Sequence, residues 1–248
     1  MNKAMSDAER IVDESAEQDI GIVSYYDSHF PNILKDLKKD GKDASPLLLY
    51  YKGDFLNVSR MCAVAIIGTR NPTTDGVQMG GYYGEYFAKE GFNIVSGLAN
   101  GCDTAAHTGA LKAKGITTAF VAHGLDIVHP PENKRLVERI IAFDGAIVSE
   151  YAIGEPISSR KFIERNRLQA GLSEVLILIQ SEIKQGGSMY TVGVAIENNK
   201  PVYAVKFNSE QTNSHPMSQG NMQLIKNKEA IALTPANVRE VVERIESM

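Results

Sequence analysis

Tryptophan is absent from this chain, and cysteine occurs only twice, as Cys62 and Cys102. Two cysteines make neither a disulfide framework nor a zinc site, so a reduced, cytoplasmic setting is the simplest expectation. Long apolar runs are missing too: none approaches the roughly 18 residues needed to span a bilayer. The first twenty residues are acidic and polar, the opposite of a secretory signal. An excess of positive charge is also lacking. The net charge of −4 argues against a general nucleic-acid binder, although distribution matters more than the sum. Residues 1–60 carry eight Lys/Arg against eleven Asp/Glu, whereas residues 160–206 carry seven Lys/Arg against four Glu. The basic excess therefore falls late in the chain.

What the chain does have is a repeated strand–turn–helix pattern. Short apolar runs at Val64–Gly68, Asn93–Ser96, Thr117–Val121, Ala146–Ser149, Val175–Gln180 and Val202–Lys206 predict strands. Amphipathic stretches at Asp75–Glu90, Asp103–Lys114, Glu132–Phe143, Phe162–Ala170 and Ser188–Asn198 predict the helices between them. Such alternation indicates an α/β fold with a mostly parallel, doubly wound sheet and helices on both faces. Asn208–Gly220 is polar and reads as a long loop before a last helix near Ala236–Ser247. Val238, Val241, Val242 and Ile245 fall on one side of that helix, either a core face or a dimer seam.

Several turns carry residues suited to phosphate. The first strand ends in Gly68-Thr69-Arg70, and the second in Ser96-Gly97-Leu98-Ala99-Asn100-Gly101. Small residues there let a ligand approach the backbone, and a following helix N-terminus attracts anions. Arg70 offers a planar fork for a phosphate or, equally, for a neighbouring helix. Arg160, Lys161, Arg165 and Arg167 crowd beside Phe162, a combination that suits single-stranded nucleic acid but also an ordinary solvated helix start. Lys184-Gln185-Gly186-Gly187-Ser188 precedes a helix and lacks the Lys-Ser/Thr ending of a P-loop. Asp103 and His107 read as a helix cap and a buried histidine rather than a dyad. His123, Asp126 and His129 read as loop geometry, so no metal site is expected.

Taken in order, AIIGTRNPT, IVSGLANGCDTAAH, AFVAHGLDIVHPPENKRL, GAIVSEY, FIERNRLQAGLSEVLILIQ and GGSMYTVGVAIENNKPVYAV resemble the DprA/Smf family, the DNA-processing A proteins. YYDSHFPNILKDL, PLLLYYKGD and QGNMQLIKNKEAI extend the likeness upstream and downstream. The resemblance implies an extended Rossmann-like fold that binds single-stranded DNA, forms a homodimer, and hands strands to a RecA-type recombinase during DNA uptake or recombination. It implies no enzyme activity and no cofactor. Residues 1–19 would be a polar tail, 20–60 a small N-terminal extension packed on the core, 61–234 the Rossmann-like domain and 235–248 a C-terminal helix. Gly68, Thr69, Arg70, Ser96, Gly97 and Asn100 would contact phosphate. Phe162, Arg165, Asn166 and Arg167 would line the groove, with Lys184, Gly187 and Ser188 completing it.

Two departures from the family pattern stand out. Many relatives carry Arg or Lys where this chain has Asn100, and Cys102 replaces the usual Ile or Val. The short stretches on either side of the core lead to the expectation that a winged-helix domain and a full N-terminal helical domain are absent. A second function, a nucleotide-binding sensor or LOG-like phosphoribohydrolase, shares the superfamily. The Pro-Gly-Gly-x-Gly-Thr signature of the hydrolases is incomplete here, since residues 185–191 read QGGSMYT.

Overall fold

A computed structural model describes residues 3–183 and 186–248. The N-terminal part supplies helix α1 (Lys3–Glu17), strand β1 (Gly21–Ser24), a small hairpin of β2 (Lys38–Lys39) and β3 (Lys42–Asp43), strand β4 (Leu48–Gly53) and the short α2 (Phe55–Val58). The regular part then runs β5 (Ala63–Ile67), α3 (Thr74–Lys89), β6 (Asn93–Ser96), α4 (Cys102–Lys112), β7 (Thr117–Phe120), α5 (Lys134–Ala142) and β8 (Ala146–Ser149). It continues with α6 (Ser159–Gly171), β9 (Val175–Leu178), α7 (Gly187–Glu197) and β10 (Val202–Val205). The chain closes with α8 (Glu210–Ser214), α9 (Gln219–Lys226), β11 (Ile231–Leu233) and α10 (Val238–Glu246).

Strands β5 to β10 are buried along their whole length, which is why they read as unbroken apolar runs: both faces are covered by helices. Nine strands form one sheet in the order β1-β4-β8-β7-β6-β5-β9-β10-β11. All pairings from β8 to β11 are parallel, while β4 joins β8, and β1 joins β4, antiparallel. Residues 20–60 thus extend one edge of the sheet. The chain winds outward from β5 first toward β8, then returns to place β9 on the other side of β5. That reversal opens a crevice beyond the carboxyl ends of β5 and β9, where doubly wound folds bind ligands.

Helices α3 and α4 pack backbone to backbone over β5 and β6. A Cβ on Gly84 would collide with the Ala106 carbonyl, and one on Gly109 with the Gly81 carbonyl. The α10 residues Val238, Val241, Val242 and Ile245 are buried in the same core cluster as Phe87 and Leu233. They are therefore a core face and cannot be a seam between copies.

Asn208–Gly220 is not a long loop. It contains α8, a 3-10 turn at Pro216–Ser218 and the start of α9. Its polar residues point inward onto backbone: Asn213 brackets Phe207 by accepting from its N–H (2.9 Å) and donating to its carbonyl (2.8 Å). Asn221 likewise donates to the carbonyls of Ile179 (2.8 Å) and Val205 (3.1 Å), tying the ends of β9 and β10 together. Among the described residues, no helix is long and apolar enough to cross a membrane.

Candidate nucleic-acid interface at the sheet switch point

The crevice holds a pocket of about 500 Å³. Its walls come from the turn after β5 (Gly68, Thr69, Arg70), from α6 (Phe162, Arg165, Asn166, Gln169), from the turn after β9 (Ser181, Glu182) and from the N-terminus of α7 (Gly187, Ser188). Gly68, Thr69, Arg70, Phe162, Arg165, Asn166, Gly187 and Ser188, drawn from three separate stretches of sequence, therefore meet in one place.

The turns are locked to one another. Thr69 N–H donates to the Gln180 carbonyl (2.8 Å), and Cys102 N–H donates to the Thr69 carbonyl (3.2 Å). Gly101 has φ +84°, and a Cβ there would lie 2.6 Å from the Thr69 carbonyl oxygen, so only glycine lets the two turns close up. The Gln180 amide reaches across to Thr73, the N-cap of α3, accepting from its N–H at 2.9 Å. Helix α7 starts at Gly187 with no side-chain cap among the described residues, and Gly186, Gly187 and Ser188 at its start line the pocket. Asn166 Nδ2 donates to the Gly187 carbonyl (2.9 Å), so α6 fixes where that helix starts.

Arg165 forms the floor. It is only 3% exposed, and its Nη1 donates to the Phe120 carbonyl (2.8 Å). The Gln169 amide, with its oxygen turned inward, accepts from Arg165 Nη1 and from Gly97 N–H (3.2 Å). Arg165 Nε has no partner among the described residues. Burial lowers the Arg165 pKa to about 10, partly opposed by Asp103, so the guanidinium stays charged at neutral pH. Burial raises the Asp103 carboxyl, against the pull of Arg165. Arg70 stands at the mouth, its guanidinium 5.0 Å from the Phe162 ring centroid, with that of Arg165 at 5.9 Å. Among the described residues, neither arginine is held in a salt bridge. Two guanidiniums and a row of amides suit phosphate, and the Phe162 ring, half-buried between them, suits a base. Asp103 and Glu182 on the same wall temper the positive charge.

The other expected contacts fall elsewhere. Arg167 turns away from the pocket and forms a bidentate pair with Glu150 (2.5 and 2.6 Å) while Nε donates to the Ala44 carbonyl (2.7 Å). Its position two residues from Arg165 on a helix carries it to another side. Ser96 is buried and donates to the Ile66 carbonyl (2.6 Å), and Gly97 lies under Arg165 and Gln169, where a Cβ would strike both. Asn100 lines a separate groove between α3 and α4. Lys184 lies outside the described residues. Asp103, Gln169 and Gln180 were missed as pocket-building residues: their roles depend on contacts between strands far apart in sequence. Among the described residues, no group of three His, Cys, Asp or Glu is placed to hold a metal ion. Asp126 instead accepts from Gly154 N–H (3.1 Å), and His107 bonds Thr117 (2.6 Å) deep in the core.

A family model described as DNA recombination-mediator protein A matches residues 21–246. The chain belongs to this family. It is 33% identical over 211 residues to the Smf protein of Synechocystis, covering 84% of this chain and 50% of that one. To the DNA processing protein DprA of Bacillus subtilis it is 33% identical over 196 residues, covering 79% and 64%. The chain thus spans about half to two thirds of the length of these relatives. Among solved structures, DprA from Streptococcus pneumoniae superposes with a TM-score of 0.76 at 31% identity, over 93% of this chain and 77% of that one. DNA processing protein A from Helicobacter pylori, whose structure was described for its single-stranded DNA binding mode, gives 0.75 at 29% identity, over 91% and 96%. The fold is therefore the Rossmann-like α/β fold of the family, which is one of recombination mediators rather than of enzymes.

Proposed function

We propose that this protein binds single-stranded DNA at the switch-point pocket, in the cytoplasm, and passes the strand as a homodimer to a RecA-type recombinase. The observation that carries the reading is the meeting of Arg70, Arg165 and Phe162 over the uncapped start of α7. Cations held free of carboxylate partners beside an aromatic ring match a strand's alternation of phosphate and base. Duplex DNA hides its bases and would leave Phe162 unused. Anisotropy of a labelled oligo-dT strand, followed at rising salt and against duplex, tests the reading. Tight, salt-sensitive, single-strand-preferring binding is expected, followed by faster recombinase assembly on strands coated with a single-strand-binding protein. Equal binding of duplex, or none at low salt, would overturn it.

A pocket of about 500 Å³ also has the capacity of a single nucleotide. Competition by thymidine monophosphate in the same assay separates the two readings: displacement of the strand at micromolar concentration favours a nucleotide sensor.

A further inference from the structure

Beside the switch-point pocket, a trough of about 620 Å³ runs between α6 and α7. The two are continuous, since Ile163, Gly186 and Gly187 line both. The walls of the trough are apolar and aromatic: Ile163, 43% exposed, faces Met189 and Tyr190. The Tyr190 hydroxyl is buried and interacts with Lys39, whose Nζ lies 5.4 Å from the ring centroid and pairs with Glu164 (2.7 Å). At the far end Asp40 and Glu197 form an acidic rim, with the Glu197 carboxylate accepting from the amides of Asp40 (2.9 Å) and Gly41 (2.6 Å).

Gly193 lines this trough and is exposed. It sits in the middle of α7, has no positive φ, and a Cβ added there would meet nothing within 4 Å. Neither backbone conformation nor packing within the chain calls for glycine, which weakens a helix relative to alanine. A missing side chain over open space is explained if something outside the chain approaches the helix there.

We propose that the trough is a second subsite of the same surface, taking the unpaired nucleobase next to the phosphate held in the pocket. The inference rests on the single-stranded DNA reading above. A lining of Ile163, Met189 and the Tyr190 ring suits a neutral, flat group, and the acidic rim excludes phosphate. The strand's backbone would pass over the Gly186–Gly187 neck while its base turns down beside Ile163.

Two strands test this: oligo-dT, and a strand of equal length with abasic sites that keeps every phosphate. Gly193→Gln adds a side chain at the trough from a position where its Cβ meets nothing within 4 Å. It should weaken binding of oligo-dT about tenfold, the order of one lost base contact, and leave the abasic strand unaffected. Ile163→Ala, from the opposite wall, should act in the same direction by a few fold. Arg70→Ala should weaken both strands alike. If Arg70→Ala weakens both while Gly193→Gln changes neither, or changes both equally, the subsite is wrong and the pocket stands. If Arg70→Ala changes neither, the pocket reading itself fails.

Discussion

Arg165 and Arg167 lie two positions apart on α6, and both are less than a tenth exposed. Arg167 is closed: Glu150 accepts from Nη1 and Nη2, the Ala44 carbonyl from Nε, and the Glu164 carbonyl from Nη1 as well. It fastens the N-terminal extension to the helix. Arg165 is open: it has one carbonyl and one amide oxygen as partners, an empty Nε, and a carboxyl kept outside ion-pair distance. Equal burial thus gives one arginine to stability and leaves the other available to an anion. What separates them is how fully the surroundings use their donors.

The largest expected effect breaks the closed member. Arg167→Ala strands Glu150 and should destabilise the fold by about 3–5 kcal/mol in urea denaturation. The strand affinity of the molecules that remain folded should not change. Replacing both partners, Arg167→Met with Glu150→Leu, should recover most of that loss. A large drop in affinity at intact stability would put Arg167 on the interface after all.

Acid sharpens the comparison next. His107 is buried on α4, and burial first, the charge of Arg165 second, lowers its pKa from 6.5 to about 3. The unfolded chain therefore binds a proton that the folded chain refuses, so stability is full above pH 6.5 and falls as pH drops toward 3. The slope from this group is about 1.4 kcal/mol per pH unit. Asp103, raised by burial, works in the opposite direction above its ordinary value of 3.8. His107→Gln should flatten the stability profile between pH 6.5 and 4. Arg165→Met should flatten it slightly and the paired replacement Arg167→Met with Glu150→Leu not at all; equal effects of the two changes would erase the distinction between the arginines.

A smaller effect is expected at Asn100. Because it lines the α3–α4 groove, Asn100→Lys adds charge near the strand without a direct contact. Affinity should rise about twofold at low salt and fall back at 0.15 M, where exposed charges are screened beyond about 8 Å. A tenfold gain that survives salt would mean that the strand crosses that groove.

Much of this architecture was legible in advance. Strands buried on both faces appear as runs such as VAIIG and VLILI, and the glycines at 68, 97 and 187 mark the turns. Arg70 and Phe162 could be nominated only through the family resemblance, because on their own a turn arginine and an aromatic beside cations serve a neighbouring helix or a solvated helix start equally well. Arg167 could not be separated from Arg165, because the difference depends on Glu150 and Ala44, which only the fold brings near. Residues 208–220 were misread for a similar reason. Ser209 and Asn213 bond backbone within or beside the segment, while Thr212 reaches Asp75 and Ser218 accepts from Gln180, and composition alone presents such residues as loop.

The most direct test of the pocket compares salt slopes. Affinity for oligo-dT would be measured from about 50 to about 300 mM salt, over which the Debye length falls from roughly 14 to roughly 6 Å, for the native chain, Arg70→Ala, Arg165→Ala and Arg167→Met. If Arg70 and Arg165 each hold a phosphate, the first two variants should lower the log–log slope by about 0.7 apiece and Arg167→Met should leave it unchanged. Slopes unmoved by Arg70→Ala and Arg165→Ala would contradict the account, because the strand's phosphates would then lie elsewhere.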